Sequence, residues 1–182
     1  MNSAINIRRV DDHDADACIP GLADVLIDCV EGGASVSFML PLSRDKAIRF
    51  WQNVMDSVAR GERVLLVAED TYGQVVGTVQ LIMDQPENQP HRADIAKMLV
   101  HRRARRQGIA ALLMAEIEQI ARHEGKTVLV LDTTTGGDAE RVYARAGWQR
   151  VGSVPDYALM PDGTLSGTTY YYKRLETNSL AG

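Results

Sequence analysis

Apolar residues change period several times along the chain, and each change marks an element. The stretch 5–10, INIRRV, reads as a short strand. Residues 15–33 then place Leu22, Val25, Leu26 and Cys29 on one helical stripe, with Pro20 and Gly21 blurring the start of that helix. The pair Gly32-Gly33 breaks the period. Ser43 is placed to cap a second helix, with Lys46 where a capping box would carry Glu. Ile48, Trp51, Met55 and Val58 form its apolar stripe, and Gly61 is its expected stop. Two apolar runs, 62–70 and 74–84, flank a turn at Gly73 and read as a hairpin. A third strand is expected at 93–100, and a helix at 110–124 with Leu113, Ile117 and Ile120 inward. The nearly unbroken apolar stretch 127–133 suits a strand covered on both faces. A short helix at 138–147, capped by Asp138 and stopped by Gly147, leads to a strand at 148–154. Residues 155–165 read as a loop, and 168–175 as the last strand.

The order is therefore β-α-α-β-β-β-α-β-α-β-β. The strands at 62–100 form an antiparallel meander. A helical crossover from 93–100 to 127–133 makes those two strands parallel neighbours. The expected fold class is α/β (α+β), one mixed sheet in a single domain over residues 1–175, with a tail at 176–182. At 182 residues the chain can bury a core without staples. It has no apolar run long enough for a membrane helix and no leader pattern at its start. Cys18 and Cys29, in one helix, read as buried thiols of a reducing compartment, so a cytoplasmic location is expected. Neither they nor the four histidines show ligand spacing, so no metal is expected.

Charge changes the picture at one point. The chain is acidic, with a formal net charge of −4, which argues against nucleic-acid binding. Yet Arg102, Arg103, Arg105 and Arg106 stand together, followed at once by Gln107, Gly108 and a helix opening with Ile109 and Ala110. A strand that runs through a glycine into a helix delivers orphan amides and a helix dipole to one place, which is an anion site. Gly108 lets the backbone approach the anion, and arginines add donors matched to phosphate. The loop is neither a Walker loop nor a dinucleotide fingerprint.

The segment RRQGIA, 105–110, resembles the R/Q-x-x-G-x-G/A pyrophosphate loop of the GCN5-related N-acetyltransferases, the GNAT superfamily. The preceding KMLV, 97–100, is similar to that superfamily's bulged fourth strand. The stretch 138–152 resembles its late helix, here with Tyr143 and the pair Gly147-Trp148. The resemblance covers nearly the whole chain and implies a GNAT-type fold. A narrower likeness, in GGASVSFM (32–39), HRADIAKMLV (91–100), LDT (131–133) and MPDGTL (160–165), is to tabtoxin-resistance acetyltransferases. Three positions depart from the superfamily pattern. His101-Arg102 stands where a proline is common, Gly136 where an asparagine often contacts pantetheine, and Ala110 where glycine alternates with alanine.

The resemblance implies acetyl-CoA as cosubstrate, with its pyrophosphate on Arg105, Arg106, Gln107, Gly108, Ile109 and Ala110. Met98, Leu99 and Val100 would lie along the acetyl and pantetheine arm, the Val100 amide facing the thioester carbonyl. Arg102 or Arg103 would either reach the 3′-phosphate or simply be solvated. Acetyl transfer to an amine needs a base, for which Asp132 and Asp94 are the candidates, and an acid for the leaving thiolate, for which Tyr143 is the candidate. The acceptor would be lined by Glu31, Ser35, Ser37, Phe38, Asp94, Asp132, Asp156 and Tyr157. These acids favour a small cationic amine, such as an antibiotic or toxin. The alternatives are a protein N-terminal or lysine acetyltransferase, and a non-catalytic acetyl-CoA-binding module. The sequence leaves a homodimer open.

Overall fold

A computed structural model describes residues 5–11 and 13–176. Its strands are β1 (Asn6–Arg9), β2 (Arg63–Glu69), β3 (Val75–Ile82), β4 (Arg92–Val100), β5 (Val128–Thr134), β6 (Gln149–Leu159) and β7 (Leu165–Arg174). Its helices are α1 (Ala15–Glu31), α2 (Arg44–Ala59), α3 (Ile109–His123) and α4 (Ala139–Arg145). The seven strands form one sheet in the order β1-β2-β3-β4-β5-β7-β6. All neighbours are antiparallel except β4 and β5, the pair joined by the α3 crossover. The expected α/β mixed sheet and element order are therefore present. The outer part of the expected tail, from residue 177 on, lies outside the described residues.

The sheet divides the core in two. Val64, Leu66, Val79, Leu81, Leu129 and Leu131 point to the face that carries α3 and α4. Leu65, Val67 and Leu99 point to the face that carries α1 and α2. Ser43 caps α2 as its sequence suggests, its hydroxyl accepting from the Lys46 amide at 3.2 Å. Trp51, fully buried, is packed edge-on against Phe50 at 5.0 Å. Both cysteines are buried and reduced on the inner stripe of α1. Glu118 of α3, nearly buried, accepts from the Trp148 indole at 3.0 Å and from Lys173 at 2.6 Å. That charged network ties α3 to both strands of the last hairpin at its open end.

Four local expectations are corrected. Helix α1 runs straight through Pro20. The lost backbone hydrogen bond is outweighed by burial of Cys18, Ile19, Leu22 and Ala23 on both sides of it. Gly21 is there for packing: a Cβ would stand 3.0 Å from Cβ of Val75 on β3. Asp138 does not cap α4; its backbone is already helical and its side chain makes no cap bond. The stretch expected as a loop at 155–165 is mostly strand, since β6 continues to Leu159 and β7 starts at Leu165. Only 160–164 turn. Pro155 is tolerated because β6 is an edge strand and its pairing with β7 skips from Val154 to Ala158.

Candidate active site

The site begins where β4 and β5 part. They pair only from Arg92–Asp94 to Val128–Val130. Beyond that β4 stays with β3 as far as Val100, and β5 stays with β7 as far as Thr134. A wedge thus opens between two central strands, exposing strand-edge amides that would otherwise be paired. Lys97, with φ of 50°, forms a bulge in β4, and the β3 register shifts beside it. This is the bulge expected in 97–100.

The arginine loop follows at the wide end of the wedge. Arg106 and Gly108 both take positive φ, 63° and 77°, so successive backbone N–H groups turn into one concavity. Gly108 precedes α3 with no side-chain cap, leaving the first amides of a 15-residue helix free. A Cβ at Gly108 would meet nothing within 4 Å, so the space in front of the loop is clear of protein. Ile109, 1 % exposed, anchors the turn in the core. The four arginines divide into two pairs. Arg102 is held by Asp28, through its amide at 2.7 Å and its Nε at 2.9 Å. Arg103 lies 3.7 Å from Asp70. Arg105 and Arg106 have no carboxylate partner among the described residues; Arg105 donates to the Val100 carbonyl at 3.3 Å. Positive charge is thus left uncompensated on the two residues that flank the nest. Burial opposes the charge on Asp28, but the Arg102 amide and guanidinium, with His101, prevail and hold its carboxyl below the ordinary range.

Residues paired across a sheet share a face. The register therefore sets Arg63, Asp94 and Val130 in one row of the α1–α2 face, Gln80 and Ala96 in the next, and Asp132 beside Tyr170 on the same face across the wedge. Helices α1 and α2 cover β2 and β3 here, while Asp132 on β5 is exposed. The segment between α1 and α2 overhangs this floor, and the Leu40 amide donates to the Pro161 carbonyl in the β6–β7 turn at 3.1 Å. The result is a trough roofed at one side, floored by β4, β5 and β7, and opening into the wedge.

Residues 34–148 match the Acetyltransferase (GNAT) family. The chain belongs to this family. An uncharacterized N-acetyltransferase in the hisH-hisA intergenic region of Azospirillum brasilense is 32% identical over 113 residues, which are 61% of this chain and 65% of that protein. The match thus spans just under two thirds of that relative. Among solved structures, a putative acetyltransferase from Acinetobacter baylyi ADP1 superposes with a TM-score of 0.81 at 14% identity, over 97% of this chain and 96% of the other. A putative acetyltransferase from Salmonella typhimurium, solved with its cofactor acetyl-CoA, superposes with a TM-score of 0.75 at 18% identity, over 99% of each chain.

Within this GNAT fold the expected site residues separate into groups. Met98, Leu99 and Val100 line the wedge edge of β4, Leu99 buried and its neighbours half-buried. Tyr143 on α4 is packed between Trp148 and Tyr171, 5 % exposed. Burial, reinforced by the charge of Asp132, raises its phenol pKa, so the proton stays on at any working pH. Asp132 accepts from the Thr168 hydroxyl at 2.9 Å and leaves its other oxygen open. Asp94 is occupied: Arg92 pairs with one oxygen and the Gln85 amide donates to the other at 3.1 Å. Ser37, at φ 75°, and Phe38 lie in the overhang, Phe38 edge-on to Phe50 at 5.2 Å. Ser35 sits in the same segment, half-buried. Asp156, at φ 51°, forms the β6 bulge, and the Tyr157 hydroxyl meets that of Tyr170 at 2.9 Å. That bond, with lesser help from burial and the two aspartates, raises the Tyr170 phenol to about 12.

Glu31 stands apart. It lies 3.9 Å from Arg102, beside a cavity of about 670 Å³ bordered by Asp24, Asp28, Arg44 and His101, which none of Asp94, Lys97 and Asp132 reaches. Three residues of the trough escape the sequence reading: Arg63, Gln80 and Lys97. Only Lys97, the first residue of the KMLV motif, carried any local signal. Among the described residues no three His, Cys, Asp or Glu side chains converge as a metal centre would need, and no helix is long and apolar enough to cross a membrane.

Proposed function

We propose that the chain is an acetyl-CoA-dependent N-acetyltransferase of a small amine, with an antibiotic or toxin as the acceptor. The observation that carries this reading is the meeting of the β4–β5 wedge with the Arg106–Ala110 nest at one end and the Asp132 trough on its flank. The nest fits a pyrophosphate: among the described residues its amides are unpaired, its approach is clear, and Arg105 and Arg106 have no anionic partner. The unpaired edge of β4 fits an extended amide-bearing arm, with the Val100 amide placed to bond a thioester carbonyl. Preorganised amides of that kind are worth about 3 kcal/mol in acyl transfer.

The acceptor nitrogen attacks only as a free amine, so its ammonium proton goes to Asp132, directly or through water. Asp94, already paired with Arg92, holds the floor in place. The amine attacks the thioester carbon, a tetrahedral intermediate forms, and the carbon–sulfur bond breaks. The departing thiolate takes its proton from the Tyr143 phenol, which is protonated when the carbon–sulfur bond breaks. The overhang at 35–40 and its contact with Pro161 narrow the trough, which favours small acceptors over peptides.

The test is an acetyl-CoA turnover screen over aminoglycosides, β-lactam-like toxins, polyamines and peptides. Turnover of small amines with poor peptide acetylation supports the reading. Efficient acetylation of peptides alone would replace it with a protein-modifying activity. Acetyl-CoA binding with no turnover of any amine would leave a binding module.

A further inference from the structure

The floor of the trough carries more positive charge than the proposed reaction uses. Arg63 opens β2, and its guanidinium reaches the carbonyl oxygen of Gln80 on the neighbouring strand. Gln80 is wholly buried, and among the described residues its amide nitrogen has no acceptor; nor has Nε of Arg63. Lys97 rises from the β4 bulge, 3.4 Å from the Ser37 hydroxyl and 5.9 Å above the Phe50 ring. The hydrogen bonds of both cations among the described residues go to neutral groups, and Glu62 acts on Arg63 through its field without an ion pair. Among the described residues neither has a carboxylate at ion-pair distance, whereas Arg92 beside them is matched by Asp94. Burial lowers the Lys97 pKa, and the field of Arg63 lowers it further against the pull of Asp132.

These cations do not serve the cofactor's phosphates. Arg63 shares its row with Asp94, six residues from the end of β4, or roughly 20 Å from the arginine loop at about 3.3 Å per residue. A buried surplus of donors is costly unless an acceptor completes it. Asp132 lies across the wedge from Gln80 and faces the opposite requirement, a cationic nitrogen.

We propose that the acceptor is an amino acid in the broad sense, a compound whose oxyacid group is held by Arg63 and Lys97 while its amine faces Asp132. This rests on the transferase reading above and adds a specificity that a simple cationic amine would not need. The oxyacid is a carboxylate or a phosphorus acid; the Arg63 fork accepts either. The amine and the acid lie several ångströms apart, as in a γ-amino acid or a dicarboxylic α-amino acid. The purely cationic acceptor favoured by the sequence meets two unpaired cations here.

The experiment uses the full chain and matched acceptors at saturating acetyl-CoA. 4-Aminobutyrate and 3-aminopropylphosphonate are compared with 4-aminobutyramide and 1,4-diaminobutane, and L-glutamate with its diamide. The expected result is that at least one acid exceeds its uncharged and dicationic counterparts by about ten- to a hundredfold in kcat/KM. The better of carboxylate and phosphonate then names the oxyacid. Arg63→Met and Lys97→Met should each raise KM for that acid about tenfold or more, change kcat little, and erase the preference. Lys97→Arg should keep most of it. Calorimetry of the same acids, with and without CoA, reads the site without turnover, and the parent protein alone suffices if a variant does not fold. Equal use of acids and amides overturns the proposal while leaving the transferase reading intact. So does a preference that survives both substitutions, or a Lys97→Arg protein that loses kcat at unchanged KM, which would make Lys97 a base. If no amine is acetylated, the transferase reading fails. Acid binding that is present in the parent and lost in Arg63→Met would still uphold the anion site, and its absence would end it.

Discussion

The two ends of β4 make two kinds of site. At its carboxyl end the Arg105–Ala110 nest is built from consecutive backbone amides, one glycine and a helix start. Six residues nearer its beginning, around Asp94, the trough is built from side chains on β2, β3, β4, β5 and β7, the last two lying more than thirty residues further along. The first site depends on φ angles and survives most side-chain changes. The second depends on register, charge and bulges, and single side chains decide it. A backbone-made site should be broken by strain and a side-chain site by lost chemistry, which gives four ways to test the contrast.

The largest effect is expected for Gly108→Val. At φ 77° a β-branched residue is strained by about 1–2 kcal/mol or more, and relief of that strain would turn amides out of the nest. Acetyl-CoA binding by calorimetry should fall below detection in a protein that still melts cooperatively. Unchanged affinity in the folded variant would mean that the nest does not hold the cofactor. Arg105→Ala should do less, because the amides remain.

Tyr143→Phe tests side-chain chemistry outside the nest, with one oxygen removed from a ring packed on the α3–α4 face. Loss of a general acid predicts a fall in kcat of about 10²–10⁴-fold with little change in the acetyl-CoA KM. A kcat within twofold of the parent, with chemistry shown to be rate-limiting, would remove Tyr143 from the reaction.

The two aspartates should differ, and the difference sharpens the comparison. In Asp132→Asn the rate should drop most below the acceptor amine's pKa and recover partly by about pH 9.5, where the amine is already neutral. Asp94→Asn should instead lower stability and raise KM without that recovery, because Arg92 loses its partner. If the pH profiles of kcat are exchanged, so are the roles.

The smallest effect concerns the tether between the two sites. Asp28 on α1 holds the Arg102 amide and fixes how the strand enters the loop. Asp28→Asn should weaken acetyl-CoA binding by less than tenfold and lower stability by about 1–3 kcal/mol at neutral pH. Because the folded carboxyl sits below its ordinary range, its contribution is complete above that range and is lost as pH falls through the folded value. The gap in melting temperature between parent and variant should therefore close on acidification. A gap that widens in acid would contradict the assigned shift.

The legible part of the site follows the same division. RRQGIA announced the nest because the requirements of a nest are local: a left-handed residue, a helix start, adjacent positive charge. Arg63 opens an ordinary apolar strand and Gln80 lies within another, and nothing near either signals a ligand. Their meaning arises only when β2 pairs with β3 and sets Arg63 against Gln80. The bulge at Lys97 was legible as a motif, but the placement of its ammonium over Phe50 was not, since that ring comes from α2.

The sequence by itself determined the order of elements, the parallel crossover and the arginine–glycine turn into α3. Each of these depends on hydrophobic period or on the backbone preference of a few neighbouring residues. Tertiary structure decided the rest. It turned 155–159 from loop to strand, because an exposed edge of β7 offers hydrogen-bond partners that a local reading cannot see. It parted β4 from β5 and so opened the wedge. It also separated Asp94 from Asp132 in role, pairing one with Arg92 and leaving the other free. Charge at a site is a sum over side chains brought from distant segments, and folding, rather than any one segment, fixes which of those charges remain unmatched.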